Sequence, residues 1–404
     1  MLDQLLVHQV RRRVEASGLP LSVELWNGQQ VGQDGTAAVR VRLHQLASLK
    51  AMADPSLGAL ARAYVEGALD LEGNVRDILA LGDRLCNAGG CKPKTGSEGW
   101  KWWRHTRSKD RRNIQYHYDV SNDFYSLWLD TRRVYSCAYF TTPDMSLGAA
   151  QVAKLDHICR KLDLKPDERF LDIGCGWGGL LLHAAEHYGV RAVGITLSDD
   201  QHAYVSQLIK ARGLAGRVEV RKMDYRDVPE HNGYDKVASV GMFEHVGRLN
   251  LNTYFDKIAA LLKPGGLVLN HGITNAEPEA SGLGSGIAEF IEDYVFPGGE
   301  LVHASDVLRA TSASGLECLD AENLRPHYGK TLWHWVTRLE QHADEAQRLI
   351  GEQKYRIWRI YMAGSAYAFD HGWMELWQVL AGKSVDGSQP NYPFRRDFIY
   401  RDMR

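Results

Sequence analysis

The stretch from Phe170 to Gly179 reads F-L-D-I-G-C-G-W-G-G. Its apolar run ending at Asp172 and Ile173 predicts a buried parallel strand, and glycines at alternate positions, Gly174, Gly176 and Gly178, let the backbone turn tightly against a ligand. Gly179 opens a helix whose apolar stretch, Leu180 to Ala185, is stopped at Gly189. Strand, glycine turn and helix follow in the order used by nucleotide-binding sheets. Gly174, Gly176 and Gly179 also satisfy the G-x-G-x-x-G of dinucleotide-binding folds, so the next strand has to discriminate. A dehydrogenase wants an acid at the end of that strand, and Arg191 to Thr196 ends in Thr196. Asp199 and Asp200 come too late. Ser198 with Gln201 three positions on reads as a capping box, which places both acids in the first turn of the following helix.

A chain of 404 residues with 44% hydrophobic residues is long enough for one large core and a smaller companion domain. The net charge of -2 exerts no overall pull toward nucleic acid or anionic lipid, so any such contact must come from a local patch. Six cysteines, Cys86, Cys91, Cys137, Cys159, Cys175 and Cys318, are scattered without a C-x-x-C pair. Together with the lack of a charged-then-apolar segment at the N-terminus, this predicts free thiols in a reducing cytoplasm. No stretch approaches the ~20 apolar residues of a membrane span, so a lipid substrate would have to be met at the bilayer surface.

In chain order, a small N-terminal module comes first. Leu5 to Ala16 predicts a helix, Leu21 to Trp26 and Ala37 to Leu43 predict strands joined through a Gly-rich turn, and Leu46 to Val65 has helical periodicity broken at Pro55. Val65 to Leu71 reads as a helix end and turn. Between about Asn87 and Arg112 the composition shifts to that of an exposed linker, with Trp100, Trp102 and Trp103 set among Lys101, Arg104, Arg107, Lys109, Arg111 and Arg112. Such a mixture suits anionic headgroups, and it equally describes a solvated tether or a single-strand nucleic-acid binder.

From Asn113 aromatic residues become dense, in Y-H-Y-D-V-S-N-D-F-Y-S-L-W-L-D and V-Y-S-C-A-Y-F, and Gln151 to Leu162 supplies a helix leading to the central strand. Arg217 to Arg221 predicts a third strand ending at Asp224 and Tyr225, and Tyr234 to Val240 a fourth that runs into G-M-F-E-H-V-G. Leu251 to Leu262 is an amphipathic helix stopped by K-P-G-G, and Gly266 to Asn270 a fifth strand ending at His271. Alternating strands and helices argue for an α/β doubly wound, mostly parallel sheet, with ligands beyond the carboxyl ends of its strands. Asp172, Thr196, Asp224, Glu244 and His271 all fall near those ends. Two further patterns have ordinary readings. His183 to His187 spells H-x-x-E-H, a metalloprotease pattern, but lies on the helix after the glycine turn and away from the strand ends, so no metal site is assigned. Tyr355, Trp358, Tyr361, Tyr367, Phe369, Trp373 and Trp377 recur near helical spacing, as core or as the wall of an acyl channel.

The glycine turn, L-L-K-P-G-G, V-Y-S-C-A-Y-F, G-I-T-L-S-x-x-Q, M-F-E-H-V-G, H-x-I and H-Y-x-x-T-L together resemble the cyclopropane-fatty-acyl-phospholipid synthase family of S-adenosylmethionine-dependent enzymes. The likeness covers about Asn113 to Leu380, with a weaker one over the N-terminal module. It implies a class I methyltransferase, Rossmann-like fold with a small N-terminal α+β accessory domain over 1–90, a linker over 91–112 and a catalytic domain over 113–404 with a lid insertion at about 275–297. It implies that Tyr135 and Ser136 close over S-adenosylmethionine. Asp172, Gly174, Cys175 and Gly176 would cradle its methionine part, Thr196, Leu197 and Gln201 would flank ribose and adenine, and Asp224 and Tyr225 would contact the adenine. It also implies a bound bicarbonate held by Cys137, Glu244, His271, the backbone of Ile273 and Tyr328, serving as general base while methyl transfer to a cis double bond closes a cyclopropane ring. The partners implied are a phospholipid bilayer with unsaturated acyl chains, met peripherally from the cytoplasmic side, and no nucleic acid; a homodimer is compatible. Relatives that methylate without ring closure, or that act on small molecules, share the scaffold. Two departures stand out: Gly272 replaces the family's usual hydroxyl residue between His and Ile, and Asn275 to Gly286 is rich in Gly, Ser, Ala and Glu.

Overall fold

The computed structural model describes residues 2–32, 37–45, 48, 51–52, 56–87, 121–229, 231–278, 287–295, 300–388, 390 and 392–400. The basic tryptophan-rich linker and the start of the aromatic stretch lie outside these residues, as do 279–286 and 296–297 of the expected lid insertion. The helices are α1 (Leu2–Ser17), α2 (Leu57–Val65), α3 (Val75–Asn87), α4 (Asn122–Trp128), α5 (Leu147–Lys161), α6 (Gly179–Tyr188) and α7 (Asp199–Ala211). There follow α8 (Leu251–Leu261), α9 (Ile287–Tyr294), α10 (Ala304–Ala313), α11 (Arg325–Gln341), α12 (Ala343–Ile350) and α13 (Glu352–Asp370). The strands are β1 (Leu21–Glu24), β2 (Gln30–Gly32), β3 (Val39–Leu43), β4 (Leu69–Gly73), β5 (Arg169–Ile173) and β6 (Arg191–Thr196). The remainder are β7 (Val218–Lys222), β8 (Tyr234–Val240), β9 (Leu262–Asn275), β10 (Leu316–Asn323) and β11 (Met374–Lys383).

The chain divides into two compact units. The first draws on Met1–Gly99, Ser281–Pro297 and Val336–Tyr367, and the second on Trp100–Ala280, Gly298–Trp335 and Ala368–Arg404. This differs from the contiguous division expected from sequence, because helical segments far along the chain pack with the N-terminal module. Within the first unit Arg62 pairs with Asp293 at 2.7 Å, Arg356 with Asp70 at 2.7 Å, and Tyr367 donates to Asp83 at 3.0 Å.

The first unit's sheet runs β2-β1-β3-β4. The two expected strands, β1 and β3, are parallel neighbours rather than a hairpin, and β2 lies antiparallel on the other side of β1. β4, read from sequence as a helix end and turn, pairs antiparallel with β3. Its acids hid it: Asp70 and Glu72 stand opposite Arg42 and Arg40, cross-strand partners that make an L-D-L-E segment tolerable as a strand.

The second unit's sheet runs β10-β11-β9-β8-β5-β6-β7, with β9, β8, β5, β6 and β7 mutually parallel. One core cluster joins residues of β5, β6 and β8 to α8 and α10, and a second joins the sheet to α5, α6 and α7, so the sheet is covered on both faces. Two antiparallel strands, β10 and β11, were not legible as strands. β11 pairs with β9 from Leu267 to Asn275, which carries β9 past the end expected at Asn270. His271 is therefore an interior residue of β9, although its pairing with Val240 keeps it level with the carboxyl end of β8. Of the C-terminal aromatics, Trp373 and Trp377 lie beyond α13, and Trp377 belongs to β11.

Candidate active site

A cleft opens beyond the carboxyl ends of β5, β6 and β8, where the strand order reverses and where such sheets place their ligands. Its empty space, open mouth included, is about 1220 Å³. Tyr135, Ser136, Asp172, Gly174, Cys175, Gly176, Thr196, Leu197, Gln201, Asp224 and Tyr225 all line it. The structure thus brings together every residue that the sequence assigned to cofactor contact. The glycine turn is tied to the neighbouring strand, since the N–H groups of Gly174 and Cys175 both donate to the Ile195 carbonyl at 3.0 Å. Gly176 sits at φ +54°, and a Cβ built on it meets no protein atom within 4 Å.

The polar walls are already organised. Thr196 donates to Gln201 at 2.7 Å, so Ser198 caps α7 through the Gln201 N–H while the Gln201 side chain turns to Thr196 instead of completing a capping box. Asp224 caps the short turn Tyr225–Asp227 and pairs with the Arg226 guanidinium at 2.6 Å. Burial pushes the Asp172 carboxyl up to about 7 against the opposing pull of the Lys154 ammonium, and Asp172 Oδ2 finds no hydrogen-bond partner among the described residues. Lys154, which the sequence reading passed over, lines the same cleft with 1% of its surface exposed, and burial lowers its pKa to about 8.

The residues expected to hold bicarbonate do not line this cleft. Glu244 sits in the turn Phe243–His245 that follows β8, and its Oε1 accepts the N–H of Ile273 at 2.7 Å. That N–H orients the Glu244 carboxyl. Burial pushes the Glu244 carboxyl up to about 7, and Oε2 has no partner among the described residues. On β11, Gln378 stands opposite His271 in register and its amide meets His271 Nδ1 at 3.1 Å. With Nδ1 accepting that bond, the proton sits on Nε2, which is buried and has no partner among the described residues. Burial and the nearby Lys154, Lys161 and His157 hold the His271 pKa well below its ordinary value, so the ring is neutral. Strand alternation puts the His271 and Gly272 positions on opposite faces of β9, and Glu244 Oε1 lies 3.0 Å from a Cβ built on Gly272. Cys137 is fully buried, its thiol pKa raised by desolvation, and it contacts the Ala138 carbonyl at 3.2 Å. Tyr328 stands on α11 against Trp335 and Phe369, ring centroids 6.0 and 4.8 Å away. A neutral imidazole N–H, a protonatable carboxyl and a thiol, with a buried ammonium in electrostatic reach of the imidazole and thiol, are a donor set that fits a small oxyanion.

Gly272 is explained by its neighbour. A Cβ there would lie 2.0 Å from Cε1 of Phe243 and 3.0 Å from Glu244 Oε1, so the ring takes the space that a side chain would need. Gly272→Ala is expected to lose roughly 1–3 kcal/mol of stability through overpacking, and to lower turnover by displacing the turn that carries Glu244. Thermal unfolding and assay of the variant check this; wild-type values in both would mean that the ring yields freely.

The raised Glu244 pKa also has a stability signature. The folded chain keeps the proton up to about pH 7, whereas the unfolded chain loses it near 4.5, so the stabilising contribution is complete below 4.5 and is lost as pH rises through 7. Stability of the wild type relative to Glu244→Gln should fall across that window by on the order of 3 kcal/mol, as read by urea unfolding at pH 5 and pH 8. A difference independent of pH would contradict the buried carboxyl.

Two of the H-x-x-E-H side chains have partners within the fold. His183 Nε2 meets Asp156 at 3.3 Å, and Glu186 accepts from Arg212 at 3.1 Å.

A glycine turn after the first parallel strand, with a cleft at the switch point walled by residues from the next strands, is the architecture of class I S-adenosylmethionine-dependent methyltransferases. The mycolic acid cyclopropane synthase CmaA1, solved as a complex with SAH and CTAB, superposes on 68% of this chain and 98% of its own with a TM-score of 0.64 at 36% identity. The family model described as Mycolic acid cyclopropane synthetase matches residues 105–379, and the chain belongs to that family. A second model, for a domain of unknown function (DUF7884), matches residues 12–84. The chain is 42% identical over 393 residues to a "Probable fatty acid methyltransferase" of Pseudomonas putida, covering 97% of this chain and 99% of that protein. It is 35% identical to another protein of that description from Mycobacterium tuberculosis, over 93% of this chain and 94% of the relative.

Proposed function

We propose that this chain transfers the methyl carbon of S-adenosylmethionine to the cis double bond of an unsaturated acyl chain in a phospholipid bilayer, and that a cyclopropane ring is closed. The observation that carries the reading is the pair of buried, unpartnered atoms, Glu244 Oε2 and His271 Nε2, at the carboxyl edge beside a cleft built for the methyl donor. S-adenosylmethionine would supply an electrophilic methyl on sulfur. Its transfer forms the new carbon–carbon bond, breaks the sulfur–carbon bond and leaves positive charge on the chain. An isolated double bond is a weak nucleophile, so the cleft must act by holding it against the methyl group with water excluded. Tyr135, Ser136 and the glycine turn would orient the donor, and Asp224 and Tyr225 its adenine. A bicarbonate held by Cys137, Glu244, His271 and Tyr328 would supply a base for the proton lost from the new methyl on ring closure, with His271 donating through Nε2 and the Ile273 N–H keeping Glu244 in place.

Methyl transfer without ring closure is the second reading, favoured by the names of the two relatives that match nearly the full chain. Incubation with isotopically labelled S-adenosylmethionine and unsaturated phospholipid vesicles, followed by mass spectrometry of the lipid, separates them: a gain of one methylene supports ring closure, provided that the product resists hydrogenation. No labelled lipid would remove both readings. No helix among the described residues is long and apolar enough to cross a membrane, so bilayer access would be peripheral. The linker is the expected contact: at about 1 kcal/mol per cation near an anionic surface, neutralising three residues between Lys101 and Arg112 should weaken binding to anionic vesicles more than tenfold, and salt should mimic the change. Equal binding of both proteins at low salt would leave the segment a tether.

A further inference from the structure

Residues 131–140 form neither helix nor strand, and Arg133, Val134, Tyr135 and Ser136 among them line the cleft, so most of the segment's backbone polar groups look to side chains for partners. At the start Asp130 accepts the N–H groups of Arg132 and Val134 at 3.0 and 2.8 Å. At the end Thr331 Oγ1 accepts from Ala138 and His327 Nδ1 from Phe140, each at 3.0 Å. The middle, which carries Tyr135 and Ser136, is held from α5. Gln151 Nε2 donates to the Val134 carbonyl at 3.3 Å and to the Ser136 carbonyl at 2.9 Å, spending both of its protons on either side of Tyr135. Lys154 Nζ donates to Ser136 Oγ at 2.9 Å. Three residues apart, Gln151 and Lys154 share one helix face, and both are buried. The ammonium has Asp130, Cys137, Cys159 and Asp172 in electrostatic reach, so its charge lies between the segment and the acid of the central strand.

We propose that Gln151 and Lys154 form a clamp that presents Tyr135 and Ser136 to the cofactor, with Lys154 a positioning residue acting through the Ser136 hydroxyl. The clamp rests on the reading that the cleft takes S-adenosylmethionine. It sets cofactor affinity from a helix that carries none of the glycine-turn residues. An ammonium–hydroxyl bond of this kind is stronger than a neutral one and is made in a buried setting, so its loss reads out as affinity.

The test is calorimetric titration of S-adenosylhomocysteine into the wild type, Lys154→Met, Ser136→Ala and the double variant, with melting temperatures for each. Lys154→Met and Ser136→Ala should each weaken binding by roughly tenfold or more, and the double variant should be no weaker than the weaker single one, because both remove the same contact. A wild type that does not bind would defeat the cofactor reading of the cleft and not the clamp. Unchanged affinity in a folded Lys154→Met protein, with only its melting temperature lowered, would reduce the lysine to a structural residue and overturn the clamp. Multiplying losses in the double variant would overturn its action through Ser136. Should Lys154→Met not fold, Ser136→Ala and Gln151→Leu carry the test, and wild-type affinity in both overturns the proposal.

Discussion

Glu244→Gln is expected to lose roughly 10²–10⁴ in turnover while its affinity for S-adenosylhomocysteine stays at the wild-type value. The amide can still accept the Ile273 N–H through its oxygen, so the local fold survives. The other carboxyl oxygen, buried and unpartnered in the wild type, becomes an NH₂ that can donate but no longer accept or release a proton. Cofactor affinity is spared because Glu244 does not line the cleft. Lowered kcat with unaltered binding is the signature of an interaction used in the chemical step. If the ion reading holds, carbonate-depleted buffer slows the wild type and added bicarbonate restores it; indifference to carbonate would point to Glu244 as the base itself. Near wild-type ring formation by the folded variant would sink the site assignment, and recovery of methylated, unclosed lipid would strengthen it.

Gly176→Val should abolish measurable cofactor binding, a loss of at least ~100-fold, and should lower stability as well. At φ +54° an L-residue pays roughly 1–2 kcal/mol, and a β-branched one more. A built Cβ there meets no protein atom within 4 Å, so the added carbons enter the cleft where a ligand would approach the backbone. Calorimetry on a folded variant with unchanged affinity would move the cofactor away from the Gly174 to Gly178 turn. Gly174 is less discriminating, since its Cβ would already touch Met242 at 3.3 Å.

The parts of this molecule that were legible in the sequence share a local cause. The strand, glycine turn and helix from Phe170 to Tyr188, the Ser198 cap of α7 and the five parallel strands are written in period-two and period-3.6 patterns and in turn chemistry, which act over a few residues. Asp172, Thr196 and Asp224 meet at one edge because in a doubly wound sheet the residues at the ends of consecutive strands arrive there by topology alone, whereas Tyr135 and Ser136 were expected only from the family resemblance.

What the sequence by itself determined, then, is the doubly wound sheet and its carboxyl edge, and the family resemblance added eleven of the residues that line the cleft. Tertiary structure decided what depends on contacts between distant segments. β4 was hidden because its acids are tolerable only opposite Arg40 and Arg42. β11 joins β9 only after the chain has passed through α11, α12 and α13, yet it supplies Gln378 to orient His271 and extends β9 to Asn275. The first unit gathers helices from beyond residue 280, which no local pattern announces. Gly272 answers to Phe243, nearly thirty residues earlier. Lys154 reads as an ordinary helix residue until folding buries its ammonium against Ser136 and within reach of Asp172. Whether a polar side chain is solvated or buried, and against what, is a property of the packed state: the dielectric around it and the partners it meets exist only once the segments are assembled.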